Sequence, residues 1–122
     1  MSKADSDGDI LHFYHLCPIG TIVAWLKNYT NTPSLPEGWV ECNGQVINDA
    51  ESPYNGQTAP NLNGNNRFLR GNTTSGGTGG SETHSHGRTT GGNLSDDIHT
   101  TAMTTVNHLP PYYNVVWIMR IK

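Results

Sequence analysis

Apolar side chains in this chain gather in short runs between long polar stretches, and the densest run comes last. Tyr112, Tyr113, Val115, Val116, Trp117, Ile118, Met119 and Ile121 crowd together between Pro110-Pro111 and the closing Arg120 and Lys122. A near-continuous apolar run of this kind predicts a central strand covered on both faces. Ile19 to Leu26 predicts a first strand after Pro18. The turn formers Pro33-Ser34-Leu35-Pro36-Glu37-Gly38 lead into Trp39-Val40-Glu41-Cys42, a second strand. Asn43-Gly44, flanked by Val40/Cys42 and Val46/Ile47, is a strong short hairpin signal, and predicts a tight hairpin over 39–47. The expected sheet therefore combines 19–26, 39–47 and 113–121. Because its best strand is the last to be made, the two ends of the fold must close on each other.

The remaining stretches are poorer in apolar residues. Residues 1–17 form an acidic lead-in, with Asp5, Asp7 and Asp9, and then the apolar run Ile10 to Cys17 that holds His12 and His15. Residues 48–64 show little periodicity and read as a surface loop anchored by Tyr54 and Leu62. Residues 71–105 offer only Leu94, Ile98, Ala102 and Met103 as apolar side chains. Ordering backbone costs about 1–2 kcal/mol per residue, so this excursion cannot be held by its own side chains. Either something outside it holds it, such as another copy of the chain or a bound ion, or it is a flexible linker. The domain organisation expected is a lead-in and attachment segment over 1–17, followed by one β-rich domain over 18–122 with 71–105 leaving and rejoining it.

Composition narrows the class. Gly, Asn and Thr fill 41 of the 122 positions while charged residues make up 14%, which disfavours a helical bundle and favours short strands joined by turns. The formal net charge of −3, with no Lys/Arg run, lacks the phosphate-neutralising patch of a nucleic-acid binder. No apolar stretch approaches the roughly 20 residues of a membrane span, and MSKADSDGDI lacks the pattern of a signal peptide. Cys17 and Cys42 are too few for a disulfide scaffold or a four-cysteine zinc site, and are expected as reduced, packed thiols.

The sharpest chemical feature is Thr83-His84-Ser85-His86-Gly87. In extended backbone, residues i and i+2 project from one face, so both imidazoles can point toward a common axis. Two nitrogens fall short of the four to six ligands a tight transition-metal site wants, but three copies of the pair about an axis would supply six. A solvated pair is the plainer reading of the residues alone. Catalysis by such a metal is not expected. Glu82 is the only carboxylate within a few residues, and the chain has neither a G-x-S-x-G elbow nor a phosphate loop. Trp25, Trp39 and Trp117 sit inside strand patterns and read as core or subunit-contact residues. Arg67 and Arg70 are available either to an anionic receptor or to Glu41, Glu51 or a neighbouring subunit. His99 and His108 have no assigned role.

Two segments together resemble a known family. Pro18-Ile19-Gly20-Thr21-Ile22-Val23-Ala24-Trp25, followed by Leu35-Pro36-Glu37-Gly38-Trp39-Val40-Glu41-Cys42-Asn43-Gly44-Gln45, resembles the opening of the phage tail collar domain, P-x-G-x-I-x-x-[W/Y] and then P-x-G-W-x-x-C-[D/N]-G. Pro60-Asn61-Leu62 with Arg67-Phe68-Leu69-Arg70-Gly71 is similar to that family's P-D-L-x-x-R-F-x-R-G segment. The Gly-rich stretch before Thr83-His84-Ser85-His86, and the ending Leu109-Pro110-Pro111-Tyr112-Tyr113 with Trp117-Ile118-Met119-Arg120, are similar to the distal ends of tail-fibre proteins. Asn61 stands where Asp is usual, Asn63 to Asn66 are inserted, and there is one H-x-H where long fibre tips carry several.

The resemblance implies a mainly β, collar-type domain intertwined as a homotrimer at the receptor-contacting end of a tail fibre. It makes His84 and His86 candidate ligands of an iron or zinc ion on the threefold axis, about one ion per three chains. The function expected is that of a non-enzymatic adhesin of the virion that binds a host-surface glycan or protein and attaches to other tail-fibre or virion proteins. Loops of the 48–105 region, rich in Asn, Thr, Ser, Gly and Tyr, suit a polar receptor. The alternative is a structural fibre or fibril subunit that assembles through residues 1–17.

Overall fold

In the computed structural model of the chain, residues 17–86 and 105–122 are described. They contain five short strands joined by turns and no helix, so the chain is small and β-rich. None of the described residues forms a helix long and apolar enough to cross a membrane. The described residues fall into two units: one of 17–73 with 114–122, and one of 74–86 with 105–113. The readings of residues 1–16, with His12 and His15, and of His99 and the four apolar residues of the excursion lie outside the described residues.

The first unit is built on a three-stranded antiparallel sheet of β1 (Ile22–Trp25), β2 (Trp39–Glu41) and, from the end of the chain, β5 (Val116–Arg120). Strands β3 (Thr83–Ser85) and β4 (Thr105–Asn107) belong to the second unit. The sheet order is β1-β5-β2, which places the most apolar run of the sequence at the centre. Ile22 lies opposite Met119, and Val40 lies opposite Met119 from the other side. Successive residues of a strand face opposite ways. Ile118 and Met119 are both buried, so β5 is covered on both faces as its unbroken apolar pattern predicts. Backbone bonds prolong the ladder at its closing end: Gly20 N–H donates to Arg120 C=O at 2.9 Å, and Ile121 N–H donates to Gly38 C=O at 2.7 Å. These bonds tie the start of the domain to its end.

Cys42, Ile47, Ala59, Met119 and Ile121 form the buried core, with Ile22, Val40, Tyr54, Leu62 and Trp117 packed against it. Full burial of such an aliphatic side chain contributes roughly 1.5–3 kcal/mol. With so few of them, precise turn chemistry carries unusual weight. Gly20 has φ of +97°, and a Cβ there would stand 2.5 Å from the Tyr54 hydroxyl oxygen. Any other residue would be strained in backbone and would displace Tyr54 from the core.

Asn43-Gly44 does not close a tight hairpin over 39–47. That turn requires positive φ at both central residues, whereas of the two only Gly44 has it, at +81°. Asn43 instead accepts the Gln45 N–H on its own Oδ1 at 3.1 Å, an Asx turn that swings the chain away from β2. The strand-like partner of 43–47 is the far end of the following loop. Val46 bridges to Thr58 and Asn43 to Asn61, and the Ala59 N–H donates to Gln45 C=O at 2.8 Å. β2 pairs with β5 along one edge, where Val40 reaches the core. A hairpin alone would have been a two-stranded ribbon, marginal in water. The loop over 48–64 is anchored by half-buried Tyr54 and Leu62, and also by buried Ser52 and Ala59.

Candidate functional site

The second unit carries the H-x-H sequence on a two-stranded antiparallel ribbon of β3 (Thr83–Ser85) and β4 (Thr105–Asn107). Its register sets Thr83 opposite Asn107, His84 opposite Val106 and Ser85 opposite Thr105. Continuing that register brings Glu82 opposite His108, and the His108 N–H donates to the Glu82 carbonyl at 3.1 Å. With side chains alternating along each strand, His84, His86, Val106 and His108 share one face, and His108 is the diagonal cross-strand neighbour of His84.

The side chains follow this placement. His84 Nε2 and His86 Nε2 are 3.1 Å apart, with the rings edge-on at 76° and centroids 4.8 Å apart. On the opposite edge of the same ring, His84 Nδ1 lies 3.1 Å from His108 Nδ1, and His108 Nε2 lies 2.9 Å from the Ser81 carbonyl oxygen. Ser81 is itself fixed by its hydroxyl, which donates to Thr83 C=O at 2.8 Å and accepts the Thr83 N–H at 3.2 Å. All three imidazoles are exposed, as is every residue from Gly71 to His86.

The two residues singled out by the sequence are thus brought together, and His108, which the sequence left without a role, joins them. Nothing in the local pattern signals His108, because its place depends on the register of β3 against β4. No group of three or more His, Cys, Asp or Glu among the described residues is arranged to hold a metal ion. Within one chain the convergent donors are the two Nε2 atoms. Their separation suits neighbouring ligands of one cation: with metal–nitrogen bonds of about 2.1 Å, nitrogens 3.1 Å apart subtend about 95°, nearer an octahedral edge than a tetrahedral one. The pair fits an ion such as iron or zinc as part of a larger donor set, and does not complete a site alone.

The other residues named from the sequence are placed as follows. Trp25, Trp39 and Trp117 are half-buried, and Trp117 packs on the core. Arg70 is exposed and Arg67 half-buried. Glu41 is paired with Lys27 at 3.0 Å, and Glu51 with Lys122 at 2.9 Å. Those two carboxylates are therefore occupied by lysines. Cys42 is fully buried and Cys17 partly so, and both are free thiols. Burial pushes the Cys42 thiol up to about 11. Exposed apolar side chains stand on both units, Phe68 and Leu69 on the first, and Tyr112 at 62% and Tyr113 at 74% on the second.

Comparison of the chain with protein-family models, with curated proteins and with solved structures finds no match.

Proposed function

We propose that this chain is a phage tail-fibre tip protein of the tail collar type, a non-enzymatic homotrimeric adhesin that binds a host-surface glycan or protein. In this reading His84 and His86 of three chains surround one transition-metal ion, iron or zinc, on the shared axis. The observation that carries it is the pairing of an exposed segment with convergent donors. Residues 71–86 are all exposed, yet the ribbon that ends them holds two imidazole nitrogens 3.1 Å apart. Three such pairs provide the six nitrogens of an octahedral site, and the surrounding chains provide the cover that the segment's own side chains cannot.

The ion, when bound, supplies structural cross-linking, and the chain's own residues supply the rest. β3 and the residue after it carry both rings, and His108, held by the Ser81 carbonyl, backs His84. The exposed Phe68, Leu69, Tyr112 and Tyr113 are apolar surface that subunit packing would remove from water. The sequence motifs quoted above supply the collar and adhesin assignment.

Light scattering on the purified full chain, with and without chelator and combined with elemental analysis, tests the reading. The expected mass is about three chains, with about one metal ion per three chains. A metal-free monomer overturns it. Binding of labelled protein to bacterial surfaces, against surfaces stripped of polysaccharide, tests the adhesin role.

A further inference from the structure

We propose that His108 is a positioning residue that holds His84 in the tautomer whose Nε2 lone pair is bare and directed toward His86. The role rests on the reading of His84 and His86 as metal ligands, and it goes beyond it by assigning a residue and a mechanism that neither the H-x-H spacing nor the motifs contain.

The Ser81 C=O can only accept, so the His108 nitrogen 2.9 Å from it, Nε2, carries the hydrogen and donates. A neutral imidazole has one N–H, so the other nitrogen of His108, Nδ1, is a bare acceptor. It faces His84 Nδ1 at 3.1 Å, and two bare nitrogens would repel. His84 Nδ1 therefore carries the hydrogen and donates to His108. The lone pair of His84 is then at Nε2, where without an ion it accepts the Nε2–H of His86 at 3.1 Å; for both rings to ligate one ion through Nε2, His86 would shift that hydrogen to Nδ1. Three neutral side-chain and backbone groups thus relay a single instruction, from the Ser81 carbonyl through His108 to the donor atom of His84. An imidazole in water prefers its hydrogen on Nε2, the tautomer in which that atom cannot ligate. His108 reverses the preference and fixes the ring plane before any ion arrives, the office that outer-shell acceptors perform for ligating histidines.

The same site explains why His108 directly follows β4. The antiparallel register places it diagonally from His84, within side-chain reach across the ribbon, and the backbone bond from its N–H to Glu82 C=O holds it there.

The test uses the full chain, wild type and two variants. His108→Ala removes the acceptor. His108→Gln restores both functions, with an amide oxygen to accept from His84 and an amide N–H to donate to Ser81. Two readouts are taken at a pH where imidazoles are neutral. The first is the ¹⁵N shift pattern of His84 in metal-free protein. Nδ1–H is expected in wild type and His108→Gln, with reversion to Nε2–H in His108→Ala. The second is Zn²⁺ affinity by competition with a chromophoric chelator. A loss of about tenfold to a hundredfold is expected in His108→Ala, with recovery in His108→Gln.

An Nε2–H tautomer of His84 in wild type overturns the proposal, and so does equal Zn²⁺ affinity in wild type and His108→Ala. If Zn²⁺ binds to none of the three proteins, the metal reading fails, and the tautomer measurement alone decides whether His108 sets the state of His84.

Discussion

Asn63 and Trp117, 54 positions apart, are joined by two hydrogen bonds: the Trp117 N–H donates to Asn63 Oδ1 at 2.8 Å, and Asn63 Nδ2 donates to Trp117 C=O at 3.1 Å. The side-chain amide acts as one residue of a strand. It prolongs the β2 side of β5 just where β2 ends, beside Cys42, whose N–H donates to the same Trp117 carbonyl at 2.9 Å. Asn63 belongs to the four residues that separate the two blocks of the collar-like motif, so the insertion supplies a clamp on the central strand.

Replacing Asn63 by Ala leaves the half-buried Trp117 N–H without that partner. The expected loss is about 1–3 kcal/mol, read as a lower midpoint in urea. Asn65→Ala, at an exposed neighbour, is expected to stay within about 0.5 kcal/mol of wild type. Equal midpoints for wild type and Asn63→Ala would show that the clamp does not hold β5.

How far the sequence reveals this fold depends on the distance over which each feature is decided. The centrality of β5 is written in its own unbroken run from Val115 to Met119, and Tyr54 and Leu62 stand out as the large apolar residues of a polar loop. Partnership is harder. The Asn43-Gly44 signal is a statement about four residues, and it lost to the far end of the following loop, where Val46 bridges to Thr58 and Asn43 to Asn61. Asn63 carries no local mark, because its partner lies 54 positions on. At the site, the spacing of His84 and His86 put both rings on one face of a strand, while His108 became visible only once the β3–β4 register was known.

The two thiols should differ in access. Cys42 is fully buried and its thiol is pushed up from 9.0 to about 11 by desolvation, whereas Cys17 is partly exposed. In a Cys17→Ser chain at pH 8, a disulfide reagent is expected to modify Cys42 at least about a hundredfold more slowly in native than in denatured protein. The folded form favours the neutral thiol, so this contribution is complete below pH 9.0 and declines as pH rises toward about 11. Fast native labelling of Cys42 is the outcome that rejects a sealed core.

Acid should act on the cluster at Lys122. Its ammonium lies 2.9 Å from carboxylate oxygens of Glu37, Asp49 and Glu51. The hydrogen bond from Lys122, and then the Glu51 N–H, hold the Asp49 carboxyl below its ordinary 3.8, while the three carboxylates raise the pKa of Lys122. A lowered Asp adds stability above its unfolded pKa and loses it as pH falls toward the folded one. A raised Lys adds stability below its unfolded pKa, 10.5, and loses it only as pH climbs through the folded one. Asp49→Asn is therefore expected to be less stable than wild type at pH 7, with the gap narrowing as pH falls below about 4. A gap that is the same at pH 3 and pH 7 contradicts the ion pair as its source.

Removing both candidate ligands gives the most direct reading of the ribbon. His84 and His86 are exposed and hold no core contact, so replacing both with Ala is expected to leave the first unit folded and, in metal-free samples, to change the melting temperature little. In metal-loaded samples the outcome should differ. An ion that binds only the folded assembly adds RT ln(1 + [L]/Kd), about 2.7 kcal/mol at a hundredfold excess over Kd, and the double variant forfeits it. In the proposed trimer each ion is shared between chains, so the double variant should also dissociate at a higher protein concentration than wild type. The comparison separates the metal from the fold: a drop seen equally with and without metal assigns the histidines to packing of the ribbon, whereas a melt unchanged in metal-loaded protein removes the ion from the account of how residues 71–86 are held.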